Sequence, residues 1–485
     1  MGGLMNKIGK FYITTTLPYV NADPHIGFAL EVVQADIIAR HHKFLGEEVV
    51  FNTGTDEHGL KIYRKALEEG KETQKYADEN AAKFGKLKKS LNLDFTNFIR
   101  TTDPHHMAAA QEFWRRCENS GDIYKKNYRV KYCVGCELEK TDSELADGKC
   151  PIHPNLELEL IDEENYFFRF SKYQKPLLEL YEKYPDFVVP AHRLTEIRNF
   201  VASGLQDFSV SRLKSKMPWG VPVPGDDTQI MYVWFDALTN YISTLGWPED
   251  DKKFGDFWGT KEKPNALQIA GKDNLRQQSA MWQAMLLSAG LPPSRQIIIH
   301  GFIISDGQKM SKSLGNVVNP FEIVEKYGTD ALRFFLAHNM SPFEDSDFFW
   351  DRFKEAYNAN LANGIGNLAA RVMKLAEDNL EKAVRPEAAE LPPEYREAMG
   401  KFEFNRATGY ILARARAMDQ KINEKEPFRL VKTDPEAGKK IIAELAEELY
   451  FIARLLEPFM PDTGAKIKKA VLANKKSAIL FPRLS

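Results

Sequence analysis

The fold of this chain is decided near its start, in residues 11–53, which read FYITTTLPYVNADPHIGFALEVVQADIIARHHKFLGEEVVFNT. Phe11–Leu17 is a short β-branched and aromatic run, which is typical of a strand. A loop rich in Pro, Asn, Asp and Gly follows, and a helical pattern then continues to Gly46 before a second strand at Glu48–Thr53. Strand, helix and strand in this order predict a parallel α/β sheet that binds ligands at the carboxyl ends of its strands.

The alternation of strands and helices is interrupted and later resumes. Residues 119–225 contain the cysteine cluster and much of a Pro- and Gly-rich stretch, and apolar runs typical of strands then recur at Ile230–Trp234, Ala266–Ala270 and Gln296–His300. Beyond residue 350 the apolar spacing is helical, at 356–380, 402–422 and 440–458, with proline-containing connectors at 386–393 and 427–435. The sequence thus predicts the first half of a parallel-sheet domain at 1–118, an insertion at 119–225, the second half at 226–350, and an α-helical bundle at 351–485.

Charge is balanced over the whole chain but not along it. The 485 residues carry 66 Lys and Arg against 68 Asp and Glu, and 43% are hydrophobic, which argues against a disordered, fibrous or polybasic protein. Residues 351–485 nevertheless have an excess of four basic groups. Six basic side chains after residue 460 form either a solvated tail or a surface for phosphates. They are Lys466, Lys468, Lys469, Lys475, Lys476 and Arg483.

No targeting or membrane signal is visible in the sequence. The first 20 residues lack the apolar core of a secretory signal, and no run approaches the roughly 18 consecutive apolar residues that span a bilayer. Four cysteines in a chain of 485 residues do not make a disulfide scaffold. We therefore predict a cytoplasmic protein without membrane contact.

Three cysteines and one histidine are spaced as metal ligands. Cys133-Val-Gly-Cys136 and Cys150-Pro-Ile-His153 form a CxxC and CxxH pair, and this spacing lets one tight turn offer two ligands to a tetrahedral zinc ion. Because four protein ligands leave no position for a substrate, the predicted zinc is structural. The alternative is three unrelated buried thiols and a surface histidine. Cys117 lies on a helical stretch and is expected to be a core residue.

Two further motifs carry groups that suit a polyphosphate. His25-Ile-Gly27-Phe28 stands where the first loop meets the first helix, and a helix N-terminus beside a bare glycine lets a nucleotide approach closely. Lys309 and Lys312 stand three residues apart on a Gly-flanked loop. They either clamp a transferring phosphoryl group or form a solvated basic loop.

Together these motifs resemble class I aminoacyl-tRNA synthetases, whose paired HIGH and KMSKS motifs are similar to HIGF at 25–28 and KMSKS at 309–313. The resemblance to the methionyl-tRNA synthetase family covers about residues 10–460. It rests on FYITTTLPYVNADPHIG, GTDEHG at 54–59, YVWFDALTNY at 232–241, AGKDN at 270–274 and KMSKSLGNVV. It implies a Rossmann-like catalytic domain, a zinc-binding connective insertion and a C-terminal α-helical anticodon-binding bundle.

The resemblance also implies a reaction. L-Methionine would be joined to ATP as methionyl-adenylate with release of pyrophosphate, and then transferred to the 3′-terminal ribose of tRNA(Met) for translation initiation and elongation. The catalytic residues would be His25, Lys309 and Lys312, which hold the phosphates. ATP binding, with magnesium accompanying the ATP, would fall to Gly27, Phe28, Glu31, Gly271, Asp273 and Lys312.

Two more sets of residues follow from the same resemblance. Asp56 would hold the substrate ammonium, although it could instead cap a turn. The thioether would lie in an apolar slot lined by Leu17, Tyr19, Trp234, Ala237, Tyr241 and Trp282, of which Trp234 and Tyr241 could instead be core aromatics.

The anticodon would be read by Asn367 and Arg371 on one helix face and by Phe428 as a stacking platform, for which core packing is the alternative. A monomer is expected.

The chain departs from the family pattern at a few positions. Phe28 stands where HIGH ends in histidine, and it cannot donate a hydrogen bond. Gln277 and Gln278 replace an aromatic residue and a histidine that often complete the methionine pocket, and Leu238 stands where proline is common.

The alternatives to a methionine enzyme are a class I synthetase for leucine, valine or cysteine, a non-catalytic RNA-binding paralogue, and a nucleotidyltransferase without tRNA. The short zinc-bearing insertion, the retained lysines and the helical bundle favour the methionine enzyme.

Overall fold

The computed structural model describes residues 9–136, 138–140, 142–305, 307–310, 316–387, 389–476 and 478–484. The chain divides into two compact units that interleave along the sequence. The first unit contains the described residues up to 24 together with 46–86 and 95–300. The second contains 25–45, 87–94 and the described residues from 301 onward.

The described strands are β1 (Lys10–Thr15), β2 (Glu48–Thr55), β3 (Asn97–Arg100), β4 (Ile123–Cys133), β5 (Leu138–Lys140), β6 (Glu159–Phe168), β7 (Val188–Val189), β8 (Phe208–Ser209), β9 (Ser211–Leu213), β10 (Pro222–Val223), β11 (Asp226–Met231), β12 (Ala266–Gly271), β13 (Gln296–His300), β14 (Ile303–Ser305), β15 (Gln308–Lys309) and β16 (Ser346–Phe348). The α-helices are α1 (Ile26–Phe44), α2 (Leu60–Glu68), α3 (Thr73–Gly85), α4 (Leu87–Ser90), α5 (Pro104–Asn119), α6 (Gln174–Lys183), α7 (Ala191–Ala202), α8 (Val233–Leu238), α9 (Asn240–Ser243), α10 (Asp251–Phe257), α11 (Trp282–Ser288), α12 (Pro320–Tyr327), α13 (Thr329–His338), α14 (Trp350–Ala356), α15 (Asn367–Asn379), α16 (Pro393–Gly400), α17 (Phe404–Lys425), α18 (Pro427–Thr433), α19 (Pro435–Leu456) and α20 (Pro461–Ala473). π-Helical segments at Gln277–Met281 and Tyr357–Gly366 lead into α11 and α15.

A parallel sheet with the order β3-β2-β1-β12-β13-β7 forms the centre of the first unit. Every residue of β12 and β13 is buried, as expected for strands that are covered on both faces. Because β1 pairs with β12, strands from before and after the cysteine-containing segment meet in one sheet. The strands predicted at the start of the chain and at Ala266–Ala270 and Gln296–His300 are confirmed.

One predicted strand is wrong. The sequence predicts a strand at Ile230–Trp234, but β11 ends at Met231 and α8 begins at Val233. In addition, β11 is antiparallel to β9 and β10 and lies outside the parallel sheet. A short apolar run is equally compatible with a buried strand and with the start of a buried helix, so periodicity could not separate the two.

The cysteine-containing segment carries an antiparallel sheet with the order β5-β4-β6-β8. Its main feature is a long ladder between β4 and β6, which pairs Ile123 with Phe168 at one end and Tyr132 with Glu159 at the other. Cys133 is the last residue of β4. The ladder therefore carries the first predicted metal ligand at its far end.

A buried arginine joins distant parts of the second unit. Arg333 on α13 is fully buried, and its Nη2 lies 2.7 Å from Oδ2 of Asp36 on α1. The same guanidinium donates to the carbonyl of Leu91 at 3.0 Å. It also donates to the carbonyls of Pro458 and Phe459 at 2.8 and 2.9 Å. Because an unpaired buried charge is costly, these contacts tie α1, α13 and the turn before α20 together.

The helical character of the C-terminal part is confirmed. The stretches predicted at 402–422 and 440–458 correspond to α17 and α19, and that at 356–380 to the π-helical segment and α15. The connector predicted at 427–435 contains a further helix, α18, because a proline at the first helical position is compatible with a helix start. None of the described helices is both long and apolar enough to cross a membrane.

Candidate functional site

The ends of β1 and β2 hold two residues of the predicted methionine site side by side. Tyr19 and Asp56 form a parallel bridge just beyond the two strands. The N–H of Asp56 donates to the Pro18 carbonyl at 3.0 Å, and the N–H of Val20 donates to the Asp56 carbonyl at 3.3 Å. Asp56 is buried, whereas Leu17 and Tyr19 are half-buried. This edge of the sheet therefore presents a carboxylate beside an apolar and aromatic wall, where parallel sheets bind ligands.

The other predicted wall residues lie on three short helices. Trp234 and Ala237 lie on α8, Tyr241 on α9, and Trp282 at the start of α11. The rings of Tyr241 and Trp282 are 5.8 Å apart at an angle of 68°. Both belong to the main hydrophobic core, and Trp234 packs against this core while remaining partly exposed. Core packing is thus a finding for Tyr241 and Trp282, and their contact with a substrate stays a prediction.

Gln278 has a specific partner in this core. Its Nε2 donates to the hydroxyl of Tyr241 at 2.6 Å, and its Oε1 accepts from Nε2 of Gln268 at 3.2 Å. Nε2 of Gln283 donates to the Gln278 carbonyl at 2.9 Å. A buried amide that is satisfied on both sides fixes its neighbours. Gln278 therefore orients the Tyr241 ring by a hydrogen bond, and Gln277 beside it is also buried.

Residues 56–58, directly after β2, are three consecutive buried ionisable side chains. Both oxygens of Glu57 are bound by Arg100, with Nε 2.6 Å from Oε1 and Nη2 2.7 Å from Oε2. The hydroxyls of Thr55 and Thr102 donate to the same carboxylate at 2.6 and 2.7 Å. The charge of Glu57 is thereby fully compensated, and this bidentate pair fixes the loop that carries Asp56.

The carboxylate of Asp236 is the buried partner of His58, the next residue of this loop. Its Oδ2 lies 2.6 Å from Nδ1 of His58, and its Oδ1 lies 2.9 Å from Nε2 of His106. Burial alone raises the pKa of such a carboxyl, but the charge of His58 and the hydrogen bonds from both imidazoles outweigh it. Together they lower the pKa of Asp236 from an ordinary 3.8 to about 2. Asp236 thus stays ionised although it is buried.

Sequence reasoning missed Glu57, His58, Asp236 and His106 as parts of the site. The sequence did contain one indication of these residues, namely the position of GTDEHG directly after a buried strand. Three consecutive ionisable residues at such a place need partners from other parts of the chain. Arg100 ends β3, the third strand in chain order, and His106 lies on α5 directly after it, where such partners were to be sought.

The predicted ATP residues divide between the two units. In the second unit, His25 caps α1, and its Nδ1 accepts from the N–H of Gly27 at 3.1 Å. A Cβ at Gly27 would lie 2.9 Å from Cε1 of His25, so glycine lets the imidazole fold onto the helix start. Phe28 is half-buried and Glu31 is buried on the same helix.

The remaining ATP residues are less completely described. In the first unit, Gly271 ends β12 and Asp273 lies in the 3₁₀ turn that follows. In the second unit, Lys309 pairs with Ile304 in the hairpin of β14 and β15, and Lys312 lies outside the described residues. The structure brings His25 to Gly27, whereas the assembly of all these residues into one ATP site stays a prediction.

The four predicted metal ligands form one cluster. The ligand atoms of Cys133, Cys136, Cys150 and His153 all lie within 4.8 Å of one another. Sγ of Cys136 lies 3.5 Å from Sγ of Cys150 and 3.2 Å from Nδ1 of His153. The alternative of unrelated thiols and a surface histidine is therefore wrong. Three sulfurs and an imidazole nitrogen are a donor set that suits zinc, and burial raises the pKa of the Cys136 thiol, so its thiolate requires a nearby cation.

The three residues predicted to read the anticodon line one surface cavity of about 500 Å³. Asn367 and Arg371 enter it from α15, and Phe428 enters it from α18. Phe428 is 42% exposed, so the core-packing alternative is wrong for this residue. The other lining residues are Ala370, Lys374, Leu375, Ile422 and Lys476.

Arg371 is held in this cavity by α17. Its guanidinium forms an ion pair with Asp419, and its Nη2 donates to Oδ1 of Asn423 at 3.0 Å. Two more cations line the cavity. Lys374 was missed by sequence reasoning, whereas Lys476 is one of the six basic side chains for which a solvated tail or a phosphate surface was predicted. A cavity with an exposed ring, an amide and several cations suits an unstacked base with its phosphates.

Comparisons with known proteins agree with these features. The family described as tRNA synthetases class I (M) matches residues 11–158 and 154–373. The chain is 41% identical over 481 residues to a methionine–tRNA ligase of Nostoc sp., covering 96% of this chain and 90% of that protein. It is 42% identical over 473 residues to that of Thermosynechococcus vestitus, covering 94% and 89%. A structure of Mycobacterium tuberculosis methionyl-tRNA synthetase in complex with methionyl-adenylate matches with a TM-score of 0.88 at 33% identity over 99% of each chain.

The buried charge of Asp236 predicts a pH-dependent contribution to stability. A pKa of about 2 against an ordinary 3.8 corresponds to about 2 kcal/mol. Because the pKa is lowered on folding, this stabilisation is complete above pH 4 and is lost as the pH falls from 4 to 2. We expect Asp236→Asn to be less stable than wild type by about 2 kcal/mol at pH 7 in urea unfolding, and the difference to shrink below pH 4.

The control is Asp256→Asn, at an exposed position on α10, which should change the free energy of unfolding by less than about 0.5 kcal/mol. If the difference in the free energy of unfolding between Asp236→Asn and wild type stays constant from pH 7 to pH 2, the shape of the Asp236 side chain rather than its charge is responsible for the lost stability.

Proposed function

Since this chain belongs to the methionyl-tRNA synthetases of class I, we propose that it activates L-methionine with ATP to methionyl-adenylate and pyrophosphate. It then transfers methionine to the 3′-terminal ribose of tRNA(Met), for both initiation and elongation of translation. The observation that carries the proposal is the buried Asp56, bridged to Tyr19 at the adjoining ends of β1 and β2. A carboxylate beside an aromatic wall suits an amino acid that has an ammonium group and an apolar side chain.

In the first step a carboxylate oxygen of methionine attacks the α-phosphorus of ATP, and the bond to the pyrophosphate oxygen breaks. The substrate supplies the nucleophile, so the protein contributes positioning and charge stabilisation. Asp56 holds the ammonium, and Glu57 and His58 keep its loop in place through Arg100 and Asp236. The thioether lies against Leu17, Tyr19, Trp234, Ala237, Tyr241 and Trp282, since sulfur packs well against aromatic rings.

The phosphates of ATP are assigned to the motif residues. His25, Lys309 and Lys312 hold the charge that develops on the departing pyrophosphate, and magnesium accompanies the ATP. Gly27, Phe28, Glu31, Gly271 and Asp273 bind the adenosine. In the second step a ribose hydroxyl of tRNA attacks the carbonyl carbon of the adenylate and loses its proton, and AMP departs.

Amino-acid dependence tests this proposal directly. In ATP–pyrophosphate exchange with each of the twenty amino acids, we expect methionine to support the fastest exchange. Asp56→Asn should lower kcat/KM for methionine roughly 100-fold, because a charge-assisted bond to the ammonium is lost. Asp256→Asn, which removes an exposed carboxylate of the same unit, is the control and should leave exchange unchanged. Preferred exchange with leucine, valine or cysteine would identify another class I enzyme, and no exchange with any amino acid would favour an RNA-binding paralogue.

The ligand cluster is assigned to a structural zinc ion. Cys133, Cys136, Cys150 and His153 would hold it, and four protein ligands leave no open position for a reactant. Bound zinc supplies a cross-link between the end of β4 and the Cys150–His153 turn and takes no part in the chemistry. Gly135 packs against the His153 ring, where a Cβ would lie 2.6 Å from Cγ, so the turn is built for close approach of the two halves.

Metal analysis tests the zinc assignment. The purified protein should contain about one zinc ion per chain by inductively coupled plasma mass spectrometry, and Cys136→Ser should lose most of it, because three ligands bind zinc much more weakly than four. Cys117→Ala is the matched control, since Cys117 is buried in the core away from the cluster. Equal zinc content in wild type and Cys136→Ser would contradict the assignment.

The anticodon of tRNA(Met) is assigned to the cavity of the helical bundle. Asn367 and Arg371 offer donors and an acceptor for the edges of unstacked bases, and the exposed ring of Phe428 offers a stacking surface. Lys374 and Lys476 on the same lining are suited to the phosphates beside those bases. The other basic side chains after residue 460 are also assigned to tRNA phosphates, which implies salt-dependent tRNA affinity.

Separate assays of the two steps test the anticodon assignment. Arg371→Ala should lower kcat/KM for tRNA charging roughly 10- to 100-fold, because a charge-assisted contact to the edge of an unstacked base is lost. Pyrophosphate exchange without tRNA should be unchanged. Lys401→Ala, which removes an exposed cation of the bundle outside the cavity, should change neither assay. Equal loss of both activities in Arg371→Ala would instead indicate a structural role through Asp419.

The remaining parts of the proposal concern organisation. We assign residues 1–118 and 226–350 to the catalytic domain, 119–225 to the connective insertion and 351–485 to the anticodon-binding domain. A monomer that works in the cytoplasm completes the proposal.

A further inference from the structure

A lysine joins the metal-ligand cluster to the methionine site, and we propose that it is a positioning residue for methionine binding. Lys61 lies in the first turn of α2, directly after the loop that carries Asp56. Its Nζ donates to the carbonyl of Gly135 at 3.3 Å. The same Nζ lies over the ring of Tyr19, 5.3 Å from the ring centroid.

One end of this connection depends on the assembled cluster. Gly135 lies between Cys133 and Cys136, and its Cα packs so closely on His153 that a Cβ would overlap the imidazole. The direction of the Gly135 carbonyl is therefore set by the same residues that set the ligand atoms. Loss of the cluster geometry would displace the acceptor of Lys61.

The other end is the wall of the methionine site. The main chain of Tyr19 is bridged to Asp56, so its position along the strand edge is fixed, but its ring is half-buried. A cation over the face of an aromatic ring attracts it, and more strongly where water is partly excluded. Lys61 is itself half-buried, so it restrains the Tyr19 ring from the side of the insertion.

These two contacts make the insertion a support for the methionine site. The hydrogen bond to the Gly135 carbonyl fixes the position of the Lys61 ammonium, and the ammonium in turn restrains the Tyr19 ring. Lys61 contacts no reacting atom. Its loss should therefore weaken methionine binding and leave the chemical step nearly intact. The inference rests on the proposed function, because it takes Tyr19 and Asp56 as methionine-binding residues.

The chain offers a matched control on the same helix. Arg64, three residues after Lys61 on α2, has its Nη1 2.6 Å from Oε1 of Glu159, at the start of β6, and both side chains are well exposed. Arg64→Ala removes a charged link between α2 and the insertion at a different point. It thereby separates a general loosening of the insertion from a specific effect at Tyr19.

Exchange kinetics and metal content are the first measurement. Lys61→Ala should raise KM for methionine roughly 5- to 20-fold and change kcat less than about twofold, because a hydrogen bond and a cation–π contact are lost from binding only. Lys61→Arg should restore most of the affinity, since a guanidinium can donate to the carbonyl and lie over the ring. Arg64→Ala should keep the wild-type KM, and all three variants should keep the wild-type zinc content.

An unchanged KM in Lys61→Ala, an equal rise in KM in Arg64→Ala, or a loss confined to kcat would each overturn the inference. A measurement made without substrate distinguishes a failure of the inference about Lys61 from a failure of the proposed function. In the proteins without substrate, Lys61→Ala should increase the mobility of the Tyr19 ring, measured by NMR relaxation of its aromatic signals, and Arg64→Ala should not. A wild type that fails to use methionine would contradict the proposed function, whereas equal mobility of the Tyr19 ring in Lys61→Ala and wild type would contradict the role of Lys61.

Discussion

The burial of consecutive ionisable residues at the end of β2 is the constraint on which the site depends. Glu57 and His58 can be buried only because Arg100 and Asp236 approach them from β3 and α8. Breaking such a pair by removing one member leaves an uncompensated buried charge, which is strongly destabilising. The edge of the sheet and the helix that carries Trp234 are therefore attached to the same loop. Asp56 is fixed at the strand end by its neighbours and by its own side chain, whose Oδ1 accepts from the N–H of His58 at 3.4 Å.

The features that sequence could predict are those that depend on near neighbours. Periodicity within 11–53 was enough for strand, helix and strand, because alternation of side chains along an element is a local property. The metal-ligand cluster was predictable for the same reason, since two short spacings define two tight turns. Asn367 and Arg371 were placed on one helix face by their i, i+4 spacing, and the structure places both on the lining of one cavity.

The features that sequence could not predict are pairings between distant residues. Arg100 is 43 residues from Glu57, and Gly135 is 74 residues from Lys61. Nothing in the local sequence distinguishes these side chains from solvated ones, because their partners are chosen by the packing of whole elements. The prediction of a strand at Ile230–Trp234 was wrong for a related reason. A buried run is apolar whether it forms a strand or a helix, so its composition does not specify the element.

The buried guanidinium of Arg333 has a consequence for dissecting this protein. Sequence character changes near residue 350, which invites recombinant expression of the helical part as a fragment that starts there. Such a fragment would lack α13, and the carbonyls of Pro458 and Phe459 would be left without the donor that satisfies them in the intact chain. It would also lack Asp36, whose carboxylate neutralises that donor. A stand-alone helical fragment would therefore need α1 and α13 grafted onto it, although α1 lies some 300 residues upstream of the apparent boundary.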